Sequence, residues 1–217
     1  GFGWAERYAG SEAFRAFMRD RLSAAVAPEG GKKLYISRAR LNPVRGGVLA
    51  ERVIEKNLTR AGFDIFHPEK HPIEDQIARY RAAREIVALD GSALHLAAFV
   101  MPPGGKVTMI MRCTRPNYAD YVTQYESFCG ITPAIVDALV TDWVEPDIAR
   151  SDYRSVGELD FAKVFARLAE LGMLPEGFRP DLPPRQALMD ELAGFSEGRG
   201  APLIPLAVAE ARMGAVE

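Results

Sequence analysis

The chain has 217 residues, 48% of them apolar, with a formal net charge of −2. That apolar share supports a buried core and excludes a disordered chain. The near-neutral balance argues against a nucleic-acid-binding domain, which carries a basic excess. Two cysteines, Cys113 and Cys129, with no CxxC spacing, exclude a disulfide scaffold. They read as free thiols of a reducing, cytoplasmic compartment. No window has the length of a transmembrane helix. Residues 1–10 lack the apolar run of a signal peptide. A start at Gly1-Phe2-Gly3-Trp4, without Met, reads as a chain cut from something longer.

Residues 11–26 open with Ser11-Glu12 as a helix cap, and Phe14, Phe17, Met18, Leu22 and Val26 follow helical spacing. Pro28 to Lys33 breaks the pattern, and Leu34 to Ser37 is a short strand. A polar loop leads to a helix over 48–61, with Val48, Leu49, Val53, Ile54 and Leu58 on one stripe and Gly62 as its C-cap. Phe63 to Phe66 is the second strand. Pro72, Glu74 and Asp75 mark the start of a helix running to about Arg84, with Ile73, Ile77, Tyr80 and Ala83 turned inward. Ile86 to Leu89 is the third strand, Asp90-Gly91-Ser92 a tight turn, and residues 93–100 a short apolar helix. Val107 to Met111 is the fourth strand. Residues 117–128 read as a helix and residues 134–143 as one strand.

Beyond Pro146 the pattern changes to a helix over 159–171, a proline-rich stretch over 175–184, a helix over 185–195 and a short one over 203–211. Strands alternating with helices through short connections imply an α/β fold, a Rossmann-like and mostly parallel sheet flanked by helices, with a C-terminal helical extension. The boundaries expected are a domain over residues 1–150 and an extension over 151–217 packed on it.

Ligands of open parallel sheets bind beyond the carboxyl ends of the strands. Arg38, Arg40 and Arg45 follow the first strand, His67 and His71 the second, and Asp90, Gly91 and Ser92 the third, with His95 one helical turn on. Gly91 permits a sharp turn and a close backbone approach, and the helix start behind it offers free N–H groups to a phosphate. An ordinary turn capped by Asp90 or Ser92 fits the same residues. Arg38 reads equally as a diphosphate clamp and as a solvated loop residue. His67 and His71 have the spacing of a zinc pair, but Pro68 and Pro72 interrupt any helix between them, so no metal is expected. Gln76 stands in the first turn of its helix, where exposure is the default. Tyr118, Tyr121, Tyr125 and Phe128 have the spacing of core packing.

The run Leu34-Tyr35-Ile36-Ser37-Arg38, the loop Arg45, the Glu51-bearing helix, Gly62-Phe63, Glu74-Asp75-Gln76-Ile77 and Asp90-Gly91-Ser92-Ala93-Leu94 together resemble glycosyltransferase family 61. The match covers about Lys33 to Arg112. The resemblance implies the C-terminal, donor-binding half of a GT-B-type enzyme of two Rossmann-like halves, the N-terminal half lying outside this chain. It implies inverting transfer of a sugar from a nucleotide-diphospho-sugar, UDP-linked, to a glycan acceptor hydroxyl in polysaccharide synthesis, without an obligatory metal or further cofactor. Arg38 and Arg45 would neutralise the diphosphate, while Glu51, Gln76, Asp90, Gly91, Ser92 and His95 would contact the donor. Asp90 and His95 are the candidate catalytic groups, and the general base is not identified. Two positions depart from the family's pattern: Asp90 stands where His is common, and the Asn-Glu pair appears as Ala50-Glu51. The rival readings are a single-domain α/β hydrolase or phosphate-handling enzyme using Asp90 and His95, and a non-catalytic binding module.

Overall fold

The computed structural model describes residues 8–114 and 118–214. In chain order the elements are α1 (Glu12–Phe17), continued by wider π-helical turns over Met18–Ser23, then β1 (Lys33–Ile36), a 3-10 turn (Pro43–Arg45), β2 (Gly47–Val48), α2 (Glu51–Arg60) and β3 (Asp64–Phe66). A second 3-10 turn (Pro68–Lys70) leads to α3 (Ile73–Ala82), β4 (Glu85–Leu89), α4 (Ala93–Val100), β5 (Lys106–Ile110) and α5 (Tyr118–Cys129). The remainder comprises β6 (Ala134–Val136), β7 (Leu139–Val144), β8 (Val156–Leu159), α6 (Phe161–Glu170), α7 (Arg185–Arg199), β9 (Ile204–Pro205) and α8 (Leu206–Gly214). Two compact units result. The first is Gly1–Ser37, Leu58–Met109 and Pro116–Ile135; the second is Arg38–Asn57, Ile110–Arg115 and Val136–Glu217.

The first unit carries a five-stranded sheet in the order β3-β1-β4-β5-β6. Strand β1 pairs in parallel with β3 on one side and β4 on the other, with Ile36 beside both Phe66 and Ala88. Leu34, Tyr35 and Ile36 are all buried, as expected of a parallel strand covered on both faces. Its main hydrophobic cluster joins Leu34, Ile36 and Ile86 to Tyr80 of α3, Leu94 of α4 and Tyr125 of α5. The mostly parallel sheet flanked by helices is therefore the fold that the alternation of strands and helices predicted. Ile73, expected inward, is instead 50% exposed, and Phe17 of the N-terminal apolar stripe is 58% exposed. Ile73 is the first residue of α3, one turn ahead of Ile77, where the buried stripe begins.

The second unit holds a four-stranded sheet, β2-β8-β7-β9, in which β7 runs antiparallel to β8 and β9. The sequence reading did not anticipate it. Val48, read as the start of a helix, instead joins Gly47 in a strand parallel to β8, and α2 begins only at Glu51. The single strand expected over 134–143 is two, β6 and β7. Leu159 ends a strand rather than opening a helix, because Asp160 caps α6 by accepting from the Lys163 N–H at 3.0 Å. The C-terminal stretch is helical as expected, in α6, α7 and α8. No helix among the described residues is long and apolar enough to cross a membrane.

Within the second unit, fully buried Asn57 fixes the proline-rich stretch ahead of α7. Its amide Nδ2 donates to the carbonyls of Val53 and Asp181, each at 2.8 Å, and its Oδ1 accepts from the Asp181 N–H at 2.8 Å. Asn57→Ala leaves both Asp181 backbone groups without these partners, and urea unfolding is expected to read a loss of about 2–3 kcal/mol.

Candidate ligand site at the carboxyl edge of the sheet

Strand order places a switch point in the first unit. From β1 the chain moves to β3 on one side, then returns across β1 to β4 on the other. Connections leave a crevice open where the order reverses, at the carboxyl ends of the two strands involved. Those ends are Ser37, after β1, and Leu89-Asp90-Gly91-Ser92, after β4. The parallel register keeps them level, since Ile36 lies beside Ala88. Ser37 and Asp90 are buried at 1% and 4% exposure, whereas Ser92 is exposed.

The Asp90-Gly91-Ser92 turn opens α4. Ser92 occupies the N-cap position, yet its side chain makes no capping hydrogen bond. The backbone turn itself closes through the Leu94 N–H on the Gly91 carbonyl at 3.1 Å and the His95 N–H on the Ser92 carbonyl at 3.1 Å. The first turn of α4 thus presents its positive dipole end beside a hydroxyl not used for capping. Tyr118 donates its hydroxyl to Asp90 Oδ1 at 3.4 Å. That contact was not foreseen, because Tyr118 was read as one of four core aromatics; Tyr121 and Tyr125 are indeed buried.

His95 is engaged away from this turn. Its Nδ1 lies 2.5 Å from Gln124 Oε1, Gln124 Nε2 donates to the His95 carbonyl at 3.2 Å, and the ring stacks on Tyr121 at 4.5 Å. These contacts give His95 a packing role between α4 and α5. Gln76 is likewise structural in its visible contacts: Nε2 donates to the carbonyls of Pro68 at 2.9 Å and His71 at 3.1 Å, tying down the turn after β3. His71 stacks on Phe66 at 4.7 Å and sits 3.6 Å from Asp75. Among the described residues, no group of three His, Cys, Asp or Glu stands together to hold a metal ion.

Arg38, Arg45 and Glu51 belong to the second unit and come together there. The Arg38 N–H donates to Glu51 Oε1 at 2.7 Å, and its guanidinium Nη2 donates to the Arg45 carbonyl at 3.2 Å. Arg38 and buried Glu51 line a pocket of about 230 Å³ with Gly46, Gly47, Glu191 and Phe195. Burial pushes the Glu191 carboxyl above its ordinary pKa, while the Ala50 N–H and Arg52 pull it back down. The Ala50 N–H bonds Glu191 Oε2 at 2.5 Å. Glu191 lies far along the chain and carried no signal in the sequence.

Ala50 adopts φ +57°, the left-handed region. Asn tolerates that region better than Ala, which gives a physical reason for an Asn at this place in the resembled pattern. The conformation costs Ala roughly 1–2 kcal/mol. Glycine removes that strain but adds about 0.5–1 kcal/mol of chain entropy in the unfolded state. Ala50→Gly is therefore expected to stabilise the chain by about 0.5–1 kcal/mol in urea unfolding.

No curated protein matches the chain. Residues 6–108 match the model of the family Glycosyltransferase 61. That stretch contains β1 to β4 and the Asp90-Gly91-Ser92 turn, together with Arg38, Arg45, Glu51, Gln76 and His95. Through it, over just under half of its length, the chain carries the pattern of the glycosyltransferase 61 family.

Proposed function

We propose that this chain is the donor-binding half of a glycosyltransferase that takes a UDP-linked sugar and transfers it to a glycan acceptor hydroxyl in polysaccharide synthesis. The observation that carries the proposal is the crevice at the β1/β4 switch point. There Asp90-Gly91-Ser92 opens α4 at the place where parallel sheets accept nucleotides. A phosphate at the α4 start meets the positive end of the helix dipole and the exposed Ser92 hydroxyl. Asp90, held by Tyr118, suits a ribose or sugar hydroxyl better than a phosphate, which its carboxylate would repel. The family resemblance adds Arg38 and Arg45 as groups that offset the diphosphate charge.

In inverting transfer, the acceptor oxygen bonds to the anomeric carbon as the bond from that carbon to the diphosphate oxygen breaks. The acceptor proton passes to a base, and the diphosphate leaves with the bonding electrons. Cationic and N–H groups aimed at the leaving oxygens lower the barrier by stabilising that charge. No base is assigned within this chain, so acceptor activation is proposed to come from the other half of a two-half enzyme. The buried free thiols Cys113 and Cys129 support a reducing, cytoplasmic setting. Burial raises the Cys129 thiol to about 12, which suits packing rather than nucleophilic chemistry.

Calorimetry with UDP and then a panel of nucleotide-sugars tests the reading. Saturable binding is expected, weakened in Arg38→Ala by about 1.5–3 kcal/mol, the scale of a charge-assisted hydrogen bond. Absence of binding to every nucleotide, both in this chain and in a chain carrying both halves, overturns it.

A further inference from the structure

The edge of the first unit's sheet opposite the switch-point crevice holds a second concavity. Arg84 stands directly before β4, and Met101 lies between α4 and β5, so this is the side where those strands begin. A pocket of about 370 Å³ opens there, lined by Arg15, Arg19, Arg81 and Arg84. Among the described residues, no Asp or Glu lines it. Asp20 pairs with Arg19 at 3.0 Å, but both side chains are largely exposed, where an ion pair contributes little.

Arg15 donates to the carbonyls of Ala9 and Gly10 at 3.0 and 2.6 Å, and Arg81 donates to the carbonyl of Val26. Carbonyl contacts orient a guanidinium without neutralising it. Each guanidinium has five N–H donors, so donors remain for a ligand. Four like charges around one concavity repel one another, and an entering anion relieves that repulsion. Guanidiniums contributed by two segments, the N-terminal helix and the chain around the end of α3, suit a group with oxygens pointing several ways, hence a phosphate more than a planar carboxylate.

Apart from Ser23 and Ser127, the rest of the lining is apolar. Phe99, Met101 and Phe128 contribute to it, the two rings meeting edge-on at 4.8 Å, with Phe14 packed against both at 6.0 Å. A free inorganic anion leaves this surface unused. We propose that the pocket binds an amphiphilic phosphate, its phosphate held by the arginines and its apolar portion lying against Phe99, Met101 and Phe128. The site is separate from the proposed donor crevice and does not rest on it.

Calorimetry with n-hexyl phosphate, inorganic phosphate and hexanol tests the site, using the native chain and Arg84→Gln. Arg84 is exposed, so the variant keeps the fold. Hexyl phosphate is expected to bind roughly tenfold or more tighter than inorganic phosphate, because burying its methylenes adds to the charge contacts. Arg84→Gln is expected to weaken it by roughly tenfold or more, with UDP binding unchanged. Equal binding of inorganic and hexyl phosphate, binding indifferent to Arg84→Gln, hexanol binding as tightly as hexyl phosphate, or no binding at all overturns the proposal. Sedimentation with phosphatidylcholine vesicles, with and without phosphatidic acid, assigns the source of the ligand. Capture that needs phosphatidic acid and Arg84 supports the site with a lipid ligand; hexyl phosphate binding without vesicle capture supports it with a soluble one.

Discussion

Strand β1 is the constraint on which the first unit depends. Its backbone is hydrogen-bonded in parallel on both sides, to β3 and to β4, and its residues Leu34, Tyr35 and Ile36 are buried. A strand so placed leaves no backbone donor or acceptor for solvent, and it demands cover on both faces. Parallel pairing also forces each return of the chain to cross over the sheet through a helix. Since β3 and β4 flank β1 on opposite sides, the crossover helices cannot close the gap above its carboxyl end. The crevice is thus a consequence of hydrogen bonding and connectivity before any side chain is considered, and the Asp90-Gly91-Ser92 turn falls at its mouth.

The second unit is organised by close backbone approach. A Cβ on Gly46 would collide with the Ser155 carbonyl, and one on Gly157 with the Arg112 carbonyl. Glycine at φ +66° lets the loop carrying Arg45 turn directly into β2. Buried Arg112 donates to the Ser155 carbonyl at 3.2 Å. Around this framework, acidic side chains act as backbone anchors: Glu51 takes the Arg38 N–H, Glu191 the Ala50 N–H and Asp142 the Thr114 N–H. Charge-assisted bonds of this kind are about twice as strong as neutral ones, and here they hold irregular loops that have no ladder partners.

Charge in the first unit is distributed unevenly between the two edges of the sheet. Four guanidiniums gather where β4 and β5 begin, whereas the β4–α4 turn at the carboxyl edge carries the Ser92 hydroxyl and the α4 dipole. A net charge of −2 conceals this asymmetry, because a sum over the chain carries no information about placement. Arg15 and Arg19 lie more than 60 positions before Arg81 and Arg84, and only the folding of the N-terminal helix against the later elements gathers them.

Apart from β2, the sequence by itself determined the strand and helix succession from residue 33 to residue 110, because short apolar runs, Gly62 as a cap and Pro72 at a helix start are local signals. It also determined that Asp90-Gly91-Ser92 is a strand-to-helix turn. What tertiary structure alone decided is non-local. Strand order, and so the switch point, depends on which strands pair. The antiparallel pairing of β7 with β8 escaped because β8 has four residues, buried throughout, and so shows no alternation to read. The partners of His95 and Gln76, which are Gln124 and the Pro68 and His71 carbonyls, are ones that no local spacing could reveal. Glu191 meets Ala50 across 141 positions of chain, a distance over which only packing specifies a neighbour.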